Sequence, residues 1–303
     1  MASHSRYTAG ADRHATVRVG GTSMTSEPRL HWPEYLIEAA GLGIFMLSAC
    51  AFGALLFHPG SPVHGVLASD LRRRAAMGLA MGATAIAIIY SPWGRRSGAH
   101  INPSTTMAFL RLGKIHRRDA AFYVAAQFVG AVTGVALSWA ALGDRLTHPS
   151  TRFAATVPGP AGALAAFPAE VAISFLLMSV VLAVSSSRFQ RLTGVCAGAL
   201  VALFITVEAP ISGMSMNPAR SLGSAVFAGT VSTLWIYFLA PLAGMQLAAA
   251  LVPARARRGC AKLDHPADRP CIFCGQGHLA ARSQDAPRSP HFRKERTPWL
   301  DFN

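Results

Sequence analysis

An all-α membrane fold is what the sequence predicts: six transmembrane helices plus two re-entrant half-helices, arranged as an inverted repeat. Three observations carry it. Hydrophobic residues make up 51% of the chain and charged residues only 14%, against about 25% charged in a soluble domain. The apolar residues come as long blocks and not as amphipathic stripes, and the block "YLIEAAGLGIFMLSACAFGALLF" at 35–57 has a single charge, Glu38. Finally, two polar Asn-Pro stretches interrupt this apolar chain at corresponding places, "SGAHINPS" at 97–104 and "SGMSMNPAR" at 212–220.

Taken in order, residues 1–33 are polar and contain no apolar h-region, so no cleavable signal peptide is expected. The block 35–57 has the length of a bilayer span, about 20 residues. Further spans are expected at 75–91, 120–142, 168–184, 192–209 and 231–252. The segment 34–252 therefore forms the membrane domain, and 253–303 is a basic tail containing Cys and His. The net charge of +14 is distributed in a way that argues against nucleic acid, because ten of the 28 Lys and Arg lie after 252 and six lie in 92–118. Basic residues that flank spans mark cytoplasmic loops. Six spans put Arg95, Arg96, Arg111, Lys114, Arg117, Arg118, Arg188, Arg191 and both tails on one side, predicting cytoplasmic termini in a cell (plasma or inner) membrane. Arg72, Arg73 and Arg74 dissent, since they precede the second span on the outer side.

Two repeats, about 34–142 and 160–252, have the same order of features. "YLIEAAGLGIF" opens one and "FPAEVAISFLL" the other, with Glu38 and Glu170 inside the first span of each. A second span, an Asn-Pro stretch and a third span follow. Three spans is an odd number, so the repeats must lie in opposite orientation, which places a pathway at their interface near the midplane.

The Asn-Pro stretches read as helix starts. Proline suits the first helical position and asparagine the N-cap before it. "NPSTTMAFLRLG" at 102–113 and "NPARSLGSAVFAG" at 217–229 each give about three turns and end in glycine; neither is long enough to cross alone. Half-helices entering from opposite faces can meet N-terminus to N-terminus and complete one span. Their positive ends then oppose cations at the midplane. The Asn102 and Asn217 amides donate to a passing oxygen, and the carbonyls at 98–101 and 213–216 accept. Non-helical backbone at that depth is tolerated where it lines a water-filled cavity.

"SGAHINPSTT" and "SGMSMNPARSLG" resemble the paired boxes of the aquaporin and glycerol-facilitator (major intrinsic protein) family, and "AAFYVAAQFVGAV" and "LWIYFLAPLAG" resemble its third and sixth helices. The resemblance implies a passive channel and not an enzyme, a homotetramer in the lipid bilayer, and box residues Asn102, Pro103, Ser104, Asn217, Pro218 and Ala219. Ser104 stands where the family usually has alanine, as in some plant relatives associated with boric acid or metalloid transport. Glu38, Glu170 and His100 are implied to support the half-helices. Offsets from the boxes imply a selectivity filter of Gly82, Ile205, Met214 and Arg220, the arginine repelling cations. Water-selective members are similar in carrying an aromatic residue and a histidine at the first two positions. Gly and Ile there imply a wider, less polar opening that passes water together with glycerol, urea or neutral metalloid acids, while ions and protons are excluded.

Two other readings stay open. Glu38 and Glu170 could relay protons in a secondary transporter built on the inverted repeat. Alternatively the membrane part anchors a metal- or redox-sensing tail, in which "CIFCGQGH" offers Cys271, Cys274 and His278 with Cys260 or His265 as a fourth group. C-x2-C is the spacing of half a zinc site. No other cofactor is expected.

Overall fold

A computed structural model describes residues 30–252, 260–265 and 271–274; His278 and the first 29 residues lie outside the described residues. Among the described residues all regular structure is helical. The first repeat comprises α1 (Trp32–Phe57), α2 (Pro62–Val66), α3 (Asp70–Tyr90), α4 (Pro92–Ser97), α5 (Pro103–Arg111) and α6 (Arg117–Leu142). A connection containing α7 (Asp144–Thr147) leads to the second, α8 (Gly162–Ser185), α9 (Thr193–Val207), α10 (Ala209–Ser212), α11 (Pro218–Ala228) and α12 (Leu234–Leu251).

Among the described residues five helices are long and apolar enough to cross a membrane: α1, α6, α8, α9 extended back to Gln190, and α12 extended back to Val231. The sixth long helix, α3, has 21 residues but opens on Asp70, Arg72, Arg73 and Arg74, which shortens its apolar run. Those arginines have local work at the far side from the tail. Arg73 pairs with Asp70 and donates to the Leu67 carbonyl (2.8 Å), and Arg74 donates to the Thr206 carbonyl (3.2 Å). That is why they depart from the charge pattern of the other loops.

Packing follows the two-fold relation of the repeats. α1 lies on α6 as α8 lies on α12, α5 touches α12 as α11 touches α6, and α3 and α9 pack on each other across the axis. Glycine permits the closest of these contacts. A Cβ on Gly130 of α6 would sit 2.0 Å from the Ala39 carbonyl oxygen of α1, and one on Gly244 of α12 would sit 2.3 Å from the Val171 oxygen of α8. The outward faces carry exposed Leu36, Leu79, Val129, Leu164 and Leu239, a surface suited to lipid. The bundle is an integral membrane protein of inverted-repeat architecture.

The two short helices begin as their sequences demand. Asn102 caps α5 by accepting from Ser104 N, and Asn217 caps α11 by accepting from Ala219 N and Arg220 N, with proline next in both. With 9 and 11 residues, they are about 14 and 17 Å long at 1.5 Å per residue. Together they span about the 30 Å of a hydrocarbon core.

Candidate functional site

The segments entering the two short helices have matching backbones. Gly98 and Gly213 take left-handed φ of 96° and 85°, Ala99 and Met214 both take 51°, and Ile101 and Met216 take 38° and 54°. Non-glycine residues rarely hold such angles, and they persist where surroundings over-determine them. Here the surroundings are two buried carboxylates. Glu38 accepts from Ser97 Oγ (2.8 Å), His100 N (3.1 Å), Ile101 N (2.6 Å) and Gln127 Nε2 (2.8 Å). Glu170 accepts from Ser212 Oγ (2.8 Å), Ser215 N (2.6 Å) and Met216 N (2.8 Å). Tyr123 and Tyr237 donate to the Ser97 and Ser212 carbonyls at 2.8 and 2.5 Å. The repeats differ at one partner: Gln127 has Pro241 at its counterpart on α12, and Glu170 has three donors among the described residues where Glu38 has four.

These contacts aim the asparagines at each other. Asn102 Nδ2 donates to the Met216 carbonyl (2.7 Å) and Asn217 Nδ2 to the Ile101 carbonyl (2.8 Å). Each amide is thus fixed at its oxygen and at one N–H. An amide nitrogen has two donors, so one N–H on each remains, and both asparagines line a cavity of about 90 Å³ running between the repeats. Ala99, His100, Ile101, Met214, Ser215 and Met216 line it from the loops, against apolar Met81, Ala85, Val181 and Val201. Polar groups form one strip and hydrocarbon the rest of the wall.

A vestibule of about 290 Å³ opens on the far side, lined by Arg74, Met77, Ser150, Ala209 and Gly213 among others. Ile205, Met214 and Arg220 line both the vestibule and the inner cavity, and so form the neck between them. Arg220 Nη1 is buried there with no partner among the described residues. A guanidinium so held offers a donor to any oxygen that passes and opposes cations.

Gly82 does not join the neck. It stands against α9, where a Cβ would lie 2.5 Å from the Gly198 carbonyl oxygen, while Gly78 stands against Ala202 and Thr206. Antiparallel to α9, α3 presents Arg74 and Met77 to the vestibule and Met81 and Ala85 to the inner cavity, both of which Ile205, Met214 and Arg220 also line. Gly82, expected in the filter, lines neither cavity, and Met77 and Met81 of the same helix flank the neck on its two sides. An ungapped offset from Asn102 ignores α4, whose six residues stand where α10 has four. Ser91 followed by Pro92 is the sequence signal of that extra helix start, with Ser91 Oγ accepting from Gly94 N at 2.9 Å.

Among the box residues, Ser104 and Ala219 are fully buried and line no cavity, and Ser104 Oγ has no partner among the described residues. The added hydroxyl is packed behind the asparagine and not on the pathway. His100 bridges the loop: its Nδ1 meets Thr106 Oγ1 (3.1 Å) and its Nε2 the Ala261 carbonyl (2.9 Å). Glu38 and Glu170 line neither the inner cavity nor the vestibule, and their carboxylates are engaged by the loop N–H groups and hydroxyls.

At the tail side, Cys260, His265, Cys271 and Cys274 come together, with their ligand atoms within 4.8 Å of one another. The hydrogen bond between Cys260 and Cys271 pushes the Cys271 thiol well below and the Cys260 thiol well above the usual range. His278 belongs to the undescribed part of the tail, and both groups weighed as a fourth ligand, Cys260 and His265, are in the cluster.

Residues 29–252 match the family model described as Major intrinsic protein. Aquaporin NIP3-1 of Oryza sativa subsp. japonica is 37% identical over 201 residues, 64% of this chain and 61% of the rice protein. Aquaporin NIP3-1 of Zea mays is 37% identical over 210 residues, 67% of this chain and 66% of its own length. The chain thus spans a little under two thirds of these plant relatives. Glycerol uptake facilitator protein-like 6 of Lactiplantibacillus plantarum is 37% identical over 178 residues, 57% of this chain and 82% of the bacterial protein. In fold the chain is similar to the aquaglyceroporin from Plasmodium falciparum, with TM-score 0.58 and 20% identity, over 72% of this chain and 94% of that one.

Proposed function

The chain belongs to the major intrinsic protein family, and on that premise we propose that it is a passive membrane channel, not an enzyme, for water and small uncharged solutes such as glycerol, urea or neutral metalloid acids. The neck carries the reading. Ile205 and Met214 give aliphatic walls beside one guanidinium, and among the described residues that line both the vestibule and the inner cavity there is no aromatic ring and no imidazole. Such a neck offers a carbon backbone an apolar surface while Arg220 and the loop carbonyls take the hydroxyls. Cations face Arg220 and then the positive ends of α5 and α11.

Both termini are assigned to the cytoplasm of a cell membrane, a reading supported by the basic loops on that side. A homotetramer, each subunit with its own pore, is supported by an open groove of about 650 Å³ between α1 and α3, where Ser48 and Thr84 hydrogen-bond at 2.8 Å. Polar residues between transmembrane helices favour a protein neighbour over lipid.

A solute panel on reconstituted vesicles, read by stopped-flow light scattering, tests the reading together with its filter. Wild type is expected to admit water and glycerol. Met77→Trp is expected to cut glycerol entry about tenfold or more while water persists, since it fills the vestibule wall beside Ile205, Met214 and Arg220. Gly82→Ala should instead lower stability, because its methyl meets the Gly198 carbonyl. Water passage without any glycerol, urea or boric acid entry in wild type contradicts the solute reading. A solute preference that moves with Gly82→Ala and not with Met77→Trp contradicts the neck.

A further inference from the structure

The tail-side mouth of the cavity is covered by a piece of chain that pore chemistry does not require. Leu263 lines the inner cavity, and its N–H donates to the Gly98 carbonyl at 3.2 Å. That carbonyl is the first of the acceptors leading to Asn102, so the tail occupies the end of the polar strip. Three further contacts seat the same segment. The Ala261 carbonyl meets His100 Nε2 at 2.9 Å, Arg95 Nε donates to Asp264 Oδ2 at 2.7 Å, and Phe273 stacks on the His100 ring with centroids 5.9 Å apart. Ala261, Lys262, Leu263 and Cys271 are buried. A Cβ on Gly98 would come within 3.2 Å of Lys262 Cα, so the loop and the tail meet backbone to backbone.

So short a segment, six residues without regular helix or strand, has no core of its own. Something must hold its turn. The cluster around it has the chemistry of a closed metal site: three thiols and one imidazole, spaced C-x4-H-x5-C-x2-C. Four ligands at zinc–sulfur and zinc–nitrogen distances of about 2.3 and 2.0 Å in a tetrahedron lie about 3.5–3.8 Å from one another. Cys260 Sγ and Cys271 Sγ are 3.6 Å apart, and His265 Nε2 and Cys274 Sγ are 3.2 Å apart. Soft thiolates with one imidazole favour zinc over magnesium or calcium, which require oxygen ligands. Four protein ligands leave no open position, as in structural sites.

We propose that Cys260, His265, Cys271 and Cys274 bind zinc and that the metal-held turn is a partial plug that narrows the tail-side mouth of the channel at Leu263. The site gives the turn its shape, and the Gly98, His100 and Arg95 contacts dock it on the loop that carries Asn102. Loss of the metal releases the turn and opens the mouth. The gating part rests on the channel reading above, whereas the metal site stands on the ligand cluster alone.

The test uses the purified full chain. Metal analysis is expected to find stoichiometric zinc in wild type and its loss in Cys271→Ser/Cys274→Ser. In reconstituted vesicles a membrane-permeant chelator is expected to raise wild-type water or glycerol flux several-fold and to leave the double variant unchanged. Leu263→Ala is expected to keep its zinc yet conduct like chelated wild type, which separates the plug from the metal. Wild type prepared under reducing conditions without zinc, or carrying a Cys260–Cys271 disulfide in its place, overturns the site. Zinc bound, with flux indifferent to both chelation and Leu263→Ala, overturns the plug. A chain that conducts nothing with or without zinc, and also as Leu263→Ala, speaks against the channel itself, because metal content is read independently of flux.

Discussion

Arg220→Val is expected to turn a neck that excludes ions into one that leaks protons and small cations, with water flux little changed. Arg220 lines both the vestibule and the inner cavity, so every permeant passes it. A unit charge at about 4 Å contributes about 4 kcal/mol at an effective dielectric constant of 20, or nearly three decades in rate at 1.4 kcal/mol per decade. The helix ends behind Asn102 and Asn217 keep part of the barrier, each acting as about half a charge. The leak should therefore rise on the order of a hundredfold. Vesicles loaded with a pH-sensitive dye read it directly. A variant as tight to protons as wild type would mean that exclusion lies elsewhere on the path.

Glu170→Ala should not give a channel with altered selectivity; it should give little folded protein. The substitution orphans the buried Ser215 N and Met216 N and takes the acceptor from the Ser212 hydroxyl, whose Oγ still accepts from Met214 N. Each unsatisfied group costs about 1–3 kcal/mol, so the sum of about 2–6 kcal/mol for the two N–H groups takes a large share of the stability of a typical domain. Glu38→Ala is expected to resemble it, with Gln127 losing a partner as well. Glu170→Gln keeps an acceptor oxygen but turns an amide donor toward groups that already donate, and so lies between. Thermal unfolding in detergent, followed by loss of monodisperse protein, measures the series. A transporter that relays protons through these acids makes the opposite forecast: the glutamine variant keeps its stability and loses a response to pH gradients.

The long helices and the paired short ones are legible in the sequence because each rests on a local rule. Apolar blocks of span length must sit in lipid, and Asn-Pro starts a helix wherever the chain allows it. Glu38 and Glu170 are legible too, since an acid inside an apolar block needs donors and the nearest uncommitted ones are the N–H groups of a broken span. What is not legible depends on register. That Met77 and Met81 face the pathway while Gly82 faces α9 cannot be read until the length of the connection through α4 is known, because each added residue turns every α3 side chain relative to Ile205. Nor does composition reveal that Ser104 faces packing while Asn102, two positions earlier, faces the cavity. The tail is a third case. "CIFC" marks a ligand pair, but the return of Cys260 and His265 to it, and the docking of Leu263 below Gly98, are long-range events without local pattern.

The proposed passive movement of solutes through a neck between the repeats is decided by the temperature dependence of glycerol flux in reconstituted vesicles. Flux is expected to rise linearly with the glycerol gradient, to ignore an imposed pH gradient and to have an activation energy near that of diffusion in water. Flux that saturates with glycerol, follows the pH gradient and carries the steep temperature dependence of a conformational cycle would contradict it.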